Sequence, residues 1–146
     1  MKILFVCTGN TCRSPMAEVI LQHKQLDSLE VRSAGIHAMP NAPMSAYAQQ
    51  VLEEAQMPHQ HLATQLSKDV IEWADLILTM TITHKDTIIF NYPEAKHKVF
   101  TLKEYTNEGS LENIVDPYGG NKSLYEATFE ELKALIDQLV QKLEKN

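Results

Sequence analysis

The stretch that most constrains the fold is the N-terminus, where an apolar run is followed at once by a polar loop and a helix start. Residues 3–7 are all apolar and have the length typical of a buried strand. Ser14 and Pro15 then predict the start of a helix, with Ser14 as N-cap and Pro15 at the first helical position. A strand that passes through a short loop into a helix is a βα unit, which favours a parallel sheet.

The same alternation continues along the rest of the chain. Further strands are predicted at residues 30–34, 76–80 and 98–102, and helices at residues 45–54, 67–73, 83–91 and 123–143. Two of the helices begin with apparent capping boxes, Thr83 with Asp86 and Ser123 with Glu126. We therefore predict an α/β fold with a single doubly wound domain over residues 1–146, in which helices flank a four-stranded parallel sheet.

Composition narrows the classes of function. The chain has 146 residues, 44% of them apolar, and a net charge of −6 with its 13 basic residues spread along its length. We therefore expect no nucleic-acid partner and no membrane partner. The N-terminal apolar run is too short for a signal sequence or a span. We expect a cytoplasmic monomer.

Cysteine usage argues against a metal site. Cys7 and Cys12 are the two cysteines of the chain, and neither a further cysteine nor a histidine cluster completes a zinc site. A disulfide framework is not expected in a reducing compartment. Neither a metal nor a cofactor is predicted, which leaves a catalytic or redox role for these thiols, or two buried thiols without function.

The loop between the first strand and the first helix carries the strongest chemical signal. It reads Cys7-Thr8-Gly9-Asn10-Thr11-Cys12-Arg13-Ser14. Such a loop can turn its backbone N–H groups inward to bind an anion at the helix N-terminus, and we expect Gly9 to supply the backbone freedom for that curve. Arg13 can form two parallel hydrogen bonds to phosphoryl oxygens. We predict a phosphate-binding loop after the first strand.

Cys7 stands at the end of the strand, in the positive environment of this loop. Loop amides, the helix dipole and Arg13 all favour its thiolate form, which is then placed for in-line attack on a bound phosphoryl group. The hydroxyl of Ser14 could donate to Cys7 and stabilise the sulfur as a leaving group. The spacing of Cys7 and Arg13 alone also fits a buried thiol that only packs. The strand–helix junction, Gly9 and the Ser14-Pro15 start together favour catalysis.

The chain resembles the low-molecular-weight protein tyrosine phosphatase family. The resemblance lies in this loop, its continuation Pro15-Met16-Ala17-Glu18, the segment Ser33-Ala34-Gly35 and the late Asp116-Pro117-Tyr118, and it covers essentially the whole chain. It implies a nucleophile at Cys7, a phosphate clamp at Arg13 and a general acid at Asp116. It also implies that Asn10, Ser14, Ser33 and His61 form a hydrogen-bond network that holds the loop.

The mechanism itself requires a residue such as Asp116. The leaving atom must gain a proton as its bond to phosphorus breaks, and the resulting carboxylate can then activate water to hydrolyse the phosphocysteine. An Asp-Pro pair is also an ordinary turn signal. Tyr118 is predicted to form a wall of the substrate cleft, with a core aromatic as the alternative.

Thr11 indicates which phosphorylated side chain is the substrate. Tyrosine-specific members of the family usually carry Ile or Leu before the second cysteine, whereas Thr11 resembles the bacterial protein arginine phosphatases, as do residues 101–105 and 116–120. Thr leaves room for a guanidinium where a longer side chain would crowd it, and Asp116 could pair with that guanidinium in a bidentate manner. The resemblance implies phosphorylated proteins as partners, with phosphoarginine favoured and phosphotyrosine as the alternative.

Two other classes of protein could use the same loop. Arsenate reductases of this fold pass a disulfide to two downstream cysteines, and this chain has no cysteine after Cys12. A non-catalytic phosphoprotein-binding module would need neither Cys7 nor Asp116. The closeness of Cys7 and Cys12 in the loop raises a further hypothesis, that an oxidised Cys7 is captured by Cys12 as a reducible disulfide.

Overall fold

A computed structural model describes residues 1–108 and 110–145 and contains the predicted parallel sheet. Its strands are β1 (Lys2–Cys7), β2 (Glu30–Gly35), β3 (Leu76–Thr79) and β4 (Val99–Thr101), in the order β2-β1-β3-β4. The helices are α1 (Arg13–Gln22), α2 (Ala46–Glu54), α3 (Lys68–Trp73), α4 (Ile82–Asn91), α5 (Leu102–Thr106) and α6 (Lys122–Glu144), with a 3₁₀ helix at Pro93–Lys98. The predicted fold class is confirmed.

β1 lies in the middle of the sheet because it can bury both of its faces. Ile3 and Phe5 pack into a core with α1, α2 and α6, whereas Leu4 and Val6 pack into a second core with α3 and α4. All four of these side chains are fully buried. Helices therefore cover both faces of the sheet, which is the doubly wound arrangement.

The helix starts differ from the predicted ones. α1 begins at Arg13 with Cys12 as N-cap, so Ser14 is not the cap, and Pro15 is tolerated because the first-turn N–H groups have no intrahelical partner anyway. Likewise Thr81 caps α4 in place of Thr83. Asn121 caps α6 in place of Ser123, accepting a hydrogen bond from the Leu124 N–H. In both helices a side-chain oxygen two residues before the predicted cap accepts the hydrogen bond from the N3 amide. Each helix therefore begins earlier than predicted.

Two smaller features were also predicted incorrectly. The strand predicted at residues 98–102 ends at Thr101, because Thr101 and Glu104 form a capping box that starts α5 directly. The sequence pattern of the second helix also predicts that Tyr47 points inward, but its side chain is 40% exposed. The sequence pattern of the terminal helix predicts an apolar face of Leu132, Leu135, Ile136, Leu139 and Leu143. The first four are buried, whereas Leu143 is only partly buried near the end of the helix.

The topology brings β1 and α1 together with the end of β3 and the start of α4. β1 pairs with β2 on one side and β3 on the other, so the chain reverses its winding between β1 and β3. In open α/β sheets this switch point forms a crevice beyond the carboxyl ends of the strands. The predicted phosphate-binding loop lies in that crevice. Within residues 1–108 and 110–145, no helix is long and apolar enough to cross a membrane.

Candidate active site

Asn10, rather than Gly9, gives the loop its curve. Its φ of 57° lies in the left-handed region, which asparagine adopts more readily than most residues. The fully buried Asn10 side chain stabilises this conformation by donating to Ser14 Oγ (2.8 Å) and Ser33 Oγ (2.9 Å) and by accepting from the Thr64 N–H (2.9 Å). The expectation that Gly9 supplies the special backbone geometry is wrong, since its φ is not positive and a Cβ there would meet only Thr11 Oγ1 at 3.7 Å.

Gly35 is the glycine that the loop requires. It pairs with Cys7 in the sheet, and a Cβ at this position would lie 2.6 Å from the Thr8 carbonyl oxygen and 2.9 Å from the Asn10 nitrogen. No side chain fits at such distances without moving the loop backbone. The end of β2 therefore supports the loop from behind by close backbone contact.

The sulfur of Cys7 lies 2.9 Å from Ser14 Oγ, and Cys7 is 3% exposed. Because Ser14 Oγ accepts a hydrogen bond from the Asn10 amide, its own proton is free to point at the sulfur. This arrangement permits the predicted donation from Ser14 to Cys7. A hydroxyl directed in this way stabilises negative charge on sulfur.

His61 and Ser33 hold the loop from the side that faces away from the pocket. His61 Nε2 lies 2.7 Å from the Asn10 carbonyl oxygen, which can only accept, so this nitrogen carries a proton. Ser33 donates to Glu18, whose carboxylate also lies 3.8 Å from His61 Nδ1. Burial raises the pKa of Glu18, against the lowering effect of the Ser33 hydrogen bond. Glu18 belongs to this network but was not singled out from the sequence.

Arg13 and Asp116 meet across the pocket. The buried guanidinium donates from Nη1 to the Ile114 carbonyl oxygen at 3.0 Å, and its Nη2 lies 3.5 Å from Asp116 Oδ2. The Asp116 side chain is 49% exposed, so one partner of this ion pair is fixed and the other faces solvent. An anion entering the loop can therefore exchange places with the carboxylate on Arg13.

The segment that carries Asp116 is anchored just before this residue by two hydrogen bonds, one to the residue that follows β3 and one to the start of α4. Ile114 is buried and its N–H donates to the Met80 carbonyl oxygen, while Asn113 Oδ1 accepts from the Ile82 N–H. Asp116 Oδ1 accepts from the Tyr118 N–H at 3.0 Å, a local turn that aims the carboxyl group. Tyr118 is 75% exposed, which excludes the alternative of a core aromatic.

These elements form a pocket beside Cys7. The pocket is lined by Cys7, Thr8, Gly9, Thr11, Cys12, Arg13, Asp116 and Tyr118. Asn10 and Ser14 do not line it, so their side chains support the loop from behind. Among the described residues, no group of three or more His, Cys, Asp or Glu side chains could hold a metal ion.

Cys12 packs beneath the loop. Its sulfur lies 3.4 Å from Ser45 Oγ and 3.5 Å from the hydroxyl of Tyr125, and both cysteines are free and buried. Burial, together with the hydrogen bond to Cys12, raises the pKa of Tyr125 to about 12, so its phenol stays protonated. The Ser45 and Tyr125 hydroxyls thus hold the Cys12 thiol in place.

Replacing Cys12 with serine is expected to preserve most of the turnover but to remove protection against peroxide. The serine can keep the contacts with Ser45 and Tyr125, yet it cannot capture a sulfenic acid on Cys7 as a disulfide. Wild-type and Cys12→Ser proteins would be treated with peroxide and then with dithiothreitol, and their activity measured before and after. Full recovery in the Cys12→Ser protein would show that Cys12 does not protect Cys7.

His84, in the first turn of α4, also reaches the loop, although no sequence pattern indicated a role for it. It is 6% exposed, and its Nε2 lies 2.8 Å from Thr8 Oγ1. Burial first, and then the charge of Arg13, lower its pKa to about 4, against an opposing effect of Asp116. The ring is therefore neutral at physiological pH, next to an anion pocket.

A thiol held beneath an anion-binding loop, with a carboxyl group opposite, serves phosphoryl transfer through sulfur, the chemistry of cysteine-dependent phosphatases. The chain belongs to the family described as low molecular weight phosphotyrosine protein phosphatase, whose model matches residues 2–146. The resemblance seen in the sequence is confirmed.

Individual relatives span nearly the full chain. The protein-arginine-phosphatase of Geobacillus stearothermophilus is 48% identical over 143 residues, covering 98% of this chain and 96% of its own length. The low molecular weight protein-tyrosine-phosphatase PtpB of Staphylococcus aureus is 43% identical over 139 residues, covering 95% and 96%. A solved structure described as YwlE arginine phosphatase, a C7S mutant with phosphorylated active site serine, has a TM-score of 0.95 at 41% identity, covering 100% and 97%.

Proposed function

We propose that residues 1–146 form a single cytoplasmic phosphatase domain that hydrolyses phosphoarginine on proteins through a phosphocysteine at Cys7. The observation that carries this proposal is the pocket, in which Thr11 lies beside the nucleophile, the Arg13 clamp and the Asp116 carboxyl group. The relatives named arginine phosphatases support the same substrate.

In the first step the loop amides and Arg13 bind the phosphoryl oxygens, which displaces Asp116 from its ion pair with the guanidinium. The Cys7 thiolate attacks phosphorus, an S–P bond forms, and the P–N bond of phosphoarginine breaks. Asp116, once displaced from Arg13, takes up a proton from solvent and gives it to the leaving nitrogen, so arginine departs as a guanidinium. Asp116, now a carboxylate, can pair with that guanidinium through two parallel hydrogen bonds.

In the second step water hydrolyses the phosphocysteine. Once the arginine product has left, Asp116 accepts a proton from a water molecule whose oxygen attacks phosphorus, and the S–P bond breaks. The sulfur leaves as a thiolate, and the Ser14 hydroxyl at 2.9 Å stabilises its charge. The Arg13 guanidinium and the loop amides hold the phosphoryl oxygens through both steps.

The alternative substrate is phosphotyrosine. The Staphylococcus aureus relative that is 43% identical is named a tyrosine phosphatase, and Tyr118 provides an exposed aromatic wall. Thr11 favours phosphoarginine, because its short side chain leaves space at the pocket wall for a planar, charged guanidinium. A longer apolar side chain would cover that wall and present a surface better suited to a phenyl ring.

Replacing Thr11 with isoleucine is therefore expected to reduce kcat/KM on phosphoarginine peptides while keeping or raising it on aryl phosphates. A loss of about tenfold or more corresponds to crowding of one substrate group at the pocket wall. Thr11→Ser is the matched control, since it keeps the hydroxyl and adds no volume. Equal losses of the Thr11→Ile protein on both substrates would mean that Thr11 does not select the substrate.

A further inference from the structure

His84 is a buried histidine that contacts a residue lining the anion pocket. Its ring is buried in the first turn of α4, yet the side chain that it contacts, Thr8, is exposed and lines the anion pocket. The Nε2 atom lies 2.8 Å from Thr8 Oγ1, whereas the buried Nδ1 has no hydrogen-bond partner within residues 1–108 and 110–145. The ring thus makes a single side-chain hydrogen bond, and that bond is directed at the loop.

The unpartnered Nδ1 indicates where the ring proton lies. In a neutral imidazole one nitrogen donates and the other accepts. A proton on Nδ1 would bury an N–H group without an acceptor, which is the rarer and less favourable arrangement in folded proteins. The proton therefore belongs on Nε2, and Thr8 Oγ1 accepts it.

The ring must be neutral for this reasoning to hold, and its surroundings keep it so. Burial is the larger effect on the pKa of His84 and the nearby Arg13 guanidinium the second, and both lower it. Asp116 opposes them from the more exposed side of the pocket. His84 consequently does not bind phosphate as a cation.

We propose that His84 is a positioning residue that donates from Nε2 to Thr8 and so directs the Thr8 hydroxyl proton toward a bound phosphoryl oxygen. A hydroxyl that already accepts from His84 has its own proton available for the pocket that Thr8 lines. The loop then gains one side-chain donor in addition to its backbone N–H groups and Arg13. The inference rests on the proposed function only in requiring that a phosphoryl anion occupies this pocket.

The first test measures binding of inorganic phosphate by calorimetry, which needs no turnover and stays interpretable even if phosphoarginine is not the substrate. His84→Leu and Thr8→Val are each expected to weaken binding about tenfold, the loss expected for one hydrogen bond to a charged group. Since both changes remove the same bond, the double variant should bind no more weakly than either single one.

His84→Gln should retain most of the affinity, because its amide nitrogen can donate from nearly the same place. His97→Gln is the matched control, as His97 is exposed in the 3₁₀ helix, and it should bind like the wild type. Wild-type affinity in His84→Leu, or losses that add in the double variant, would overturn the proposal.

A second measurement uses the unaltered protein, so it does not depend on the folding of any variant. ¹⁵N NMR of histidine-labelled protein at neutral pH should show His84 neutral, with its proton on Nε2. A neutral ring with its proton on Nδ1 would overturn the proposal, because Thr8 would then have to donate to His84.

Discussion

Replacing Cys7 with serine is expected to lower kcat by about 10⁴-fold or more while phosphate binding stays measurable. A serine hydroxyl is not ionised at neutral pH and is a far weaker nucleophile than a thiolate. The anion site itself is unchanged, since the backbone N–H groups and Arg13 remain. Turnover and phosphate affinity should therefore separate in this variant.

The fate of the serine provides a sharper measurement. If position 7 attacks phosphorus, the Cys7→Ser protein can take the phosphoryl group slowly and then hold it, because an alkoxide leaves far less readily than a thiolate. Mass spectrometry should find one phosphoryl group on Cys7→Ser and none on Cys7→Ala, and acid-quenched wild-type enzyme should carry phosphorus on sulfur. Near wild-type turnover in Cys7→Ser would rule out the covalent mechanism.

Replacing Asp116 with asparagine is expected to lower kcat by about 10²–10⁴-fold, the usual contribution of a general acid. The amide keeps the size of the side chain and can still accept from the Tyr118 N–H, but it has no proton to give the leaving atom. Phosphate affinity should hold or increase, because Arg13 no longer has a carboxylate 3.5 Å away that competes with the anion.

The dependence of the kcat defect on the leaving group distinguishes loss of the general acid from a general loss of active-site structure. A series of aryl phosphates with increasingly acidic phenols should show a decreasing defect, because a good leaving group needs little protonation. Asp86→Asn, which changes an exposed carboxylate on α4, is the matched control and should leave kcat unchanged. A defect of the same size for every phenol would contradict the assignment of Asp116 as the acid.

The four strands, their parallel arrangement and the position of the loop could be predicted because their signals are local in sequence. A run of buried residues before Cys7 indicates a strand, and Arg13 follows the nucleophile closely enough for one loop to hold both. Helix starts were less predictable. Thr81 and Asn121 are the caps, although Thr83 and Ser123, two residues later, fit the capping-box pattern better. Asp116 could be placed opposite the loop only through the family resemblance, because the fold alone brings such distant residues together.

The remaining site residues act through long-range contacts that no local pattern records. His84 lies in an ordinary helix and reaches Thr8 only because α4 begins beside the end of β1. Glu18 resembles any acidic helix residue, although an acid on the buried side of α1 could have drawn attention. Gly35 ends a strand, as many glycines do, and its close approach to the loop appears only in three dimensions.

The most direct test of the proposed function compares two substrates on the wild-type enzyme. Peptides of one sequence, carrying either phosphoarginine or phosphotyrosine at the same position, would be assayed side by side for kcat/KM. With Thr11 at the pocket wall and Asp116 able to pair with a guanidinium, phosphoarginine is expected to give the higher value. An equal or higher kcat/KM for phosphotyrosine would contradict the arginine assignment.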